Sequence, residues 1–441
     1  MHDEPAMRSK EQGFFAEMAR WWSNRAACAE GDFESMASIL LSGKGEASGV
    51  ALASHLLLAY HALPSADRPR FFTLLATRFG PDLELVQRAI EVFQRSPETT
   101  AAARLHFSAE PRRQELIRRM NLAPRGTSQL VAMREDLLTA MQQDASLAIV
   151  DADFRHLFAS WFNRGFLELR RIDWSTPAHI LEKIIRYEAV HAINSWEDLR
   201  LRLEPADRRC FAFFHPALPE EPLIFVEVAL TTALPGSIAP LLRSGRAAIR
   251  SQSATVAVFY SISNCQRGLR GIMFGNFLIK QVAEDLKREL PTLNTFVTLS
   301  PLPGFCRWLS AQPDTAAAST DGSADWPLDE MRRTNWHETP TRSLREKLLR
   351  AAVRYLFQAK DEMRKPIDPV ARFHLGNGAR LERLNWMGDS SAKGLSEAAG
   401  FMVNYLYDLG SVERNHEAYA NKDEIVASPE MQRLERALLR A

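Results

Sequence analysis

The stretch SNCQRGLRGIMFG, residues 263–275, sets three glycines and two arginines between two apolar runs. Glycines let backbone approach an anion with no Cβ in the way, and the open N–H groups at a helix start favour negative charge. Chemistry of this kind holds a phosphate. The loop leaves a strand-like run at Ser263 and is expected to enter a helix near Gly271. Its spacing is G-x-x-G-x-x-x-G, so it lacks the GxGxxG of a dinucleotide fold and the GxxxxGK[ST] of a P-loop. Two readings stay open: a seat for the pyrophosphate of an acyl-coenzyme A, or a structural strand-to-helix turn.

Other chemistries find no support. Cys28, Cys210, Cys265 and Cys306 are scattered, with no CxxC pair and no Cys/His spacing for zinc. A disulfide framework is not expected, which points to a reducing compartment. The formal net charge of +1 gives no field for nucleic acid or an anionic membrane. The most apolar run, GVALASHLLLAYHAL at 49–63, is too short to span a bilayer, and MHDEPAMRSKEQ has no signal or transit character. A cytoplasmic protein without nucleic-acid or membrane partners is expected.

These residues need elements to position them, and the chain supplies two kinds. Up to about residue 165 apolar residues recur at helical spacing, in FFAEMARWW (14–22), DLELVQRAIEVFQR (82–95) and ASLAIVDADFRHLFASWFNRGFLEL (145–169). Breaks are expected at 43–49, 63–69 and 95–100. Beyond 165, CFAFFHP (210–216), PLIFVEVALT (222–231), ATVAVFYSIS (254–263) and NTFVTLS (294–300) read as strands. Between the last two, 271–290 reads as a helix whose stripe is Phe277, Leu278, Val282 and Leu286, completing a β-α-β crossover. Residues 310–327 read as a surface loop and 341–360 as a helix. In ARFHLGNGARLERLNW (371–386), Asn377-Gly378 signals a turn between two strands, the first carrying His374. The expectation is an α+β protein: 1–165 an all-helical domain, 166–441 a mixed α/β domain.

The stretches VFYSISNCQRGLRGIMFGNFLIKQVAEDLKRELPTLNTFVTLSPLPGFCRWL (258–309) and DPVARFHLGNGARLERLNWMGDSSAKGLSEAAGFMVNYLYDL (368–409) resemble the malonyl-CoA decarboxylase family. Residues 171–203 and 219–231 match the entry to its catalytic domain, and the helical half agrees mainly in character. The resemblance implies a catalytic domain similar in fold to GNAT-type acyltransferases, in which the loop after a central strand seats coenzyme A. It places Arg270, Gly271, Ile272, Met273, Phe274, Gly275 and Asn276 along malonyl-CoA. Met273 departs from the pattern, because some relatives carry glutamate there. The family's catalytic serine and histidine fall at Ser300, in TLSPLPGF, and His374, in ARFHLGNG. Ser261, Asn404 and Tyr407 stand in its blocks FYSIS and MVNYLYD, with Tyr407 in a position to orient His374, and Arg267 joins Arg270 as a phosphate partner.

The implied reaction converts malonyl-CoA to acetyl-CoA and CO2 through a thioester enolate. The thioester is its own electron sink, so no metal, biotin or pyridoxal is required. Ser300 is expected to orient the carboxylate and His374 to deliver the proton. The family's habit of self-association adds a homo-oligomer, a dimer or tetramer. The alternatives are a GNAT-type acyl-CoA transferase that needs an acceptor, or a non-catalytic malonyl-CoA-binding interaction protein; a serine hydrolase is disfavoured by the absence of GxSxG.

Overall fold

The computed structural model describes residues 30–42, 46–272, 278–312, 327–331, 333 and 335–439. The chain divides into two compact units, one comprising residues up to Asn163 with 266–273, the other the remainder. In the first unit eight α-helices run, among the described residues, from Glu30–Leu41 to Ala148–Trp161. Phe33, Tyr60, Phe71 and Phe72 form an aromatic cluster with ring centroids 5.0–6.1 Å apart. Asp82 caps the helix Leu83–Arg95 by accepting from the N–H groups of Glu84 and Leu85. Two arginines are buried here with carboxylates, Arg113 with Asp153 and Arg134 with Asp151. The expected stripe at 14–22 and the break at 43–45 lie outside the described residues.

The expected helix at 145–169 is shorter than its pattern. It ends at Trp161, and Glu168–Ile172 forms strand β1. Sheet pairing overrides the periodicity after Asn163-Arg164-Gly165, since Glu168 to Ile172 pair antiparallel with Phe214 to Cys210.

The second unit is built on one mixed sheet of β1, β2 (Arg208–Phe214), β3 (Ile224–Thr231), β4 (Val256–Asn264), β5 (Thr295–Thr298), β6 (Ser300–Pro301), β7 (Arg380–Asn385) and β8 (Met402–Leu406). The order is β1-β2-β3-β4-β5-β8-β6, with β7 on β8. Strands β2 and β3 are almost wholly buried, and the charges among their apolar residues are paired, Glu227 with Arg202 and Arg209 with Glu289. β4 and β5 are parallel and are joined through the helix Leu278–Glu289, which buries Leu278, Val282 and Leu286. Phe277 of the expected stripe lies outside the described residues. Among the described residues, a helical N-terminal region followed by a mixed α/β domain is the expected order.

Two irregularities matter for the site. A bulge pairs Glu227 with Ser261 but Val228 with Phe259, leaving Tyr260 as the extra residue of β4. The β4–β5 pairing also ends there, with Leu299 N–H donating to Phe259 O at 3.0 Å. The next residue, Ser300, pairs instead with Val403 of β8.

The expected two-strand hairpin over 371–386 is not formed. Pro369–Gly376 is a helix, so His374 is helical and only β7 follows. Asp368 and Pro369 explain the difference: the carboxylate accepts from Val370 and Ala371 N–H, and proline suits the first helical position. Asn377-Gly378 stops this helix. Gly378 has φ +81°, and a Cβ there would lie 2.0 Å from Val412 O. Gly378→Ala is therefore expected to lower stability by about 2–3 kcal/mol, read from the urea midpoint.

Candidate active site

Ser300 stands where β5 has given up its parallel partner, and it is 6% exposed. Its Oγ donates to Thr298 Oγ1 at 2.9 Å and lies 3.0 Å from His374 Nε2. On the other side of the ring, His374 Nδ1 lies 2.8 Å from Tyr407 Oη. Tyr405 stacks on the imidazole, centroids 4.7 Å apart and planes 27° apart. His374 and Tyr407 are both buried. The Ser300 hydroxyl has one hydrogen, so with it on Thr298 a neutral imidazole has a single consistent arrangement. Nε2–H donates to Ser300 Oγ, and Nδ1 accepts from Tyr407 O–H.

Each member is held from behind. Thr298 Oγ1 also accepts from Tyr405 N–H at 3.1 Å, and Asn404 Nδ2 donates to Thr298 O at 2.8 Å. Asn404 Oδ1 in turn accepts from Asn385 and Arg383. The helix under His374 is fixed through Asp368, whose Oδ2 accepts from Tyr355 Oη at 3.0 Å.

Burial sets the charge state. With no carboxylate among the described residues beside it, desolvation pushes the His374 pKa down to about 3, and it pushes the Tyr407 phenol well above its usual range. The resting imidazole is neutral at physiological pH. The ring's ordinary value is 6.5, so between about pH 3 and 6.5 the unfolded chain binds more protons at this residue. This contribution to stability is present above pH 6.5 and is lost as pH falls through that window. Relative to His374→Gln, the native chain is expected to lose about 2 kcal/mol of unfolding free energy from pH 7.5 to pH 5, in paired urea titrations.

The structure brings Ser300, His374 and Tyr407 together. Asn404 serves the same group one step removed, as a strut under Thr298. Ser261 takes no part in this chain: its hydroxyl donates to Glu188 Oε2 at 2.7 Å, and it is buried. Thr298 and Tyr405 were not picked out in the sequence. Alternation along TFVT signals that Thr298 shares a face with Ser300, but nothing local marks Tyr405.

In the unit that holds 266–273, the expected coenzyme A loop makes a single 3-10 turn at Arg267–Leu269 and does not yet enter a helix at Gly271. Gly271 adopts φ +76°, a left-handed backbone open to glycine, and the next described helix covers Leu278–Glu289. Arg270 is exposed, and no carboxylate among the described residues pairs with its guanidinium. Arg267 is largely exposed, 3.4 Å from Glu135. Ile272 is buried. Met273, Phe274, Gly275 and Asn276 lie outside the described residues. Among the described residues no cluster of three or more His, Cys, Asp or Glu side chains is placed to hold a metal.

Fold and site together define a mixed α/β protein with a buried serine–histidine–tyrosine series and a helical module earlier in the chain. Residues 165–440 match the model of the malonyl-CoA decarboxylase C-terminal domain, and residues 79–162 that of the N-terminal domain. Mitochondrial malonyl-CoA decarboxylase of Anser anser anser is 32% identical over 409 residues, 84% of this chain and 81% of that protein. The crystal structure of malonyl-CoA decarboxylase from Rhodopseudomonas palustris superposes with a TM-score of 0.88 at 53% identity, over 92% of this chain and 100% of that one. The one from Agrobacterium vitis gives 0.86, also at 53% identity, over 92% and 99%. The chain belongs to the malonyl-CoA decarboxylase family.

Proposed function

We propose that this protein converts malonyl-CoA to acetyl-CoA and CO2, with Ser300 and His374 as the catalytic residues. The observation that carries the assignment of residues is the buried hydrogen-bonded series Tyr407, His374, Ser300, Thr298. In the reaction the bond between C2 and the carboxylate carbon breaks, and its electrons pass into the thioester carbonyl. CO2 leaves, and C2 of the enolate takes a proton.

Ser300 can turn its O–H from Thr298 to the incoming carboxylate, while Nε2–H of His374 still supports Oγ. Held this way, the carboxylate stands out of the thioester plane, where the breaking bond overlaps the carbonyl. The arriving anion is the charge the resting imidazole lacks, and it favours the protonated ring against desolvation. An imidazolium donates from both nitrogens, to Ser300 Oγ and to Tyr407 Oη. When CO2 departs, the proton moves from Nε2 by way of Ser300 to C2, and the ring is neutral again. One proton is consumed per turnover, as the balance requires. Arg270 and Gly271 are the described residues assigned to the coenzyme A phosphates.

The test is malonyl-CoA alone in D2O. The expected result is CO2 with acetyl-CoA carrying one solvent deuterium in its methyl group. A requirement for an acceptor, or binding without turnover, overturns the reading. The same reading divides the chain near residue 165 into an oligomerisation and a catalytic domain. It gives the exposed Leu83, Leu85 and Phe107 of the helical unit to self-association as a dimer or tetramer. The cytoplasm is its location; Cys210, Cys265 and Cys306 are free thiols, and no described helix is long and apolar enough to cross a membrane.

A further inference from the structure

Arg134 lies on the helix Gly126–Ala140 and is 1% exposed. Its Nε donates to Asp151 Oδ1 at 2.8 Å. Its Nη1 donates to two backbone carbonyls of one turn, Gly268 O at 2.6 Å and Arg270 O at 2.9 Å. A buried guanidinium thus spends its charge on one acid and both Nη1 hydrogens on a segment more than 130 residues away in the chain. The fit is close. A Cβ on Gly268 would lie 1.9 Å from Val131 O, one helical turn before Arg134, so only glycine lets the segment lie this flat on the helix.

The consequence follows from peptide geometry. In a trans peptide the C=O and the next N–H point opposite ways. Drawing Arg270 O inward to Arg134 turns the Gly271 N–H outward. That N–H meets no acceptor among the described residues, and Gly271 is exposed with φ +76° and nothing within 4 Å of where a Cβ would stand. The exposed Arg270 guanidinium, without a carboxylate of its own, is the adjacent residue's side chain. The inward carbonyls would repel an anion if they faced it, and Arg134 removes both from that side.

We propose that Arg134, held by Asp151, is a positioning residue for the phosphate end of the substrate: it orients the turn so that Gly271 N–H and Arg270 are offered to the coenzyme A nucleotide. This rests on the reading of the 266–272 turn as part of the coenzyme A seat. It assigns to the helical half a share in substrate affinity that is separate from the Ser300–His374 chemistry.

The experiment compares two substrates in the full-length protein. Malonyl-CoA carries the nucleotide, and malonyl-N-acetylcysteamine carries the same malonyl thioester without it. Arg134→Lys keeps a cation for Asp151 but loses the planar fork. The neutral pair Arg134→Gln with Asp151→Asn is the second variant, free of a stranded carboxylate. Both are expected to raise KM for malonyl-CoA by about tenfold or more, the size of a charge-assisted hydrogen bond, with kcat little changed. KM for the truncated thioester is expected to stay in place, which also shows that the preparations are folded. Arg270→Ala is the control for the seat itself. If it raises KM for malonyl-CoA and the Arg134 variants do not, the role of Arg134 is overturned while the seat stands. If none of them moves KM, the seat reading falls, and the Arg134 proposal with it. An equal rise for both substrates makes Arg134 a general structural residue and also overturns the proposal.

Discussion

His374→Ala is expected to lower kcat for malonyl-CoA by about 10²–10⁴, or about 3–5 kcal/mol of barrier, with a smaller change in KM. The imidazole is the group in the Ser300 series that can carry a proton in one state and be neutral in the next near pH 7. Its helix, its stacking on Tyr405 and its two hydrogen bonds allow it one position. The alanine variant also leaves Ser300 Oγ and Tyr407 Oη facing an emptied space, so a loss of stability accompanies the loss of rate. Added imidazole separates the two. A free imidazole entering that space is expected to restore part of the turnover without restoring the melting temperature of the variant. CO2 release at saturating malonyl-CoA is the measurement, and near-native turnover of His374→Ala would sink the assignment.

Ser300→Ala is expected to cost about 10²–10³ in kcat, the scale for losing one oriented donor to developing charge. The serine has two duties: its O–H holds the carboxylate, and its oxygen links Nε2 to C2. Without it, the imidazole proton has no carrier at the 3.0 Å position that Oγ occupies. Because the two residues act through one proton path, Ser300→Ala/His374→Ala is expected to be little slower than the slower single variant. Fully multiplicative losses in the double variant would mean that they act independently, contrary to the shared path.

The β-branched runs that became β2 to β5 announced themselves by composition, and so did the helices at 82–95 and 341–360. Their burial is one-sided or complete, and both patterns are local. β1 was hidden because Glu168–Ile172 becomes a strand only by pairing with β2, about forty residues on. The helix under His374 was hidden differently. Asp368-Pro369 is a good helix start, but Asn377-Gly378 also spells a hairpin, and the β-rich surroundings favoured that reading. Ser300, His374 and Tyr407 were legible through resemblance, whereas the local chemistry of a Ser-Pro step and a lone histidine is bland. Ser261, from the FYSIS block, stands apart from the Ser300 series, its hydroxyl donating to Glu188. Arg134 was invisible, because a guanidinium that binds distant main-chain carbonyls leaves no motif at either end.

The position of β8 bears on how the protein is made. Residues 402–407 follow Ser300 by about a hundred residues, yet they pair with β5, β6 and β7 and supply Tyr405 and Tyr407. While a ribosome is still adding them, Ser300 has long been synthesised but lacks its strand partner, and β5 is exposed as an open edge. Such an edge invites pairing with other nascent chains. The Ser300–His374–Tyr407 group is therefore completed only after residue 407 has been added, and a chain cut short before Tyr407 carries the serine and the histidine but cannot assemble them.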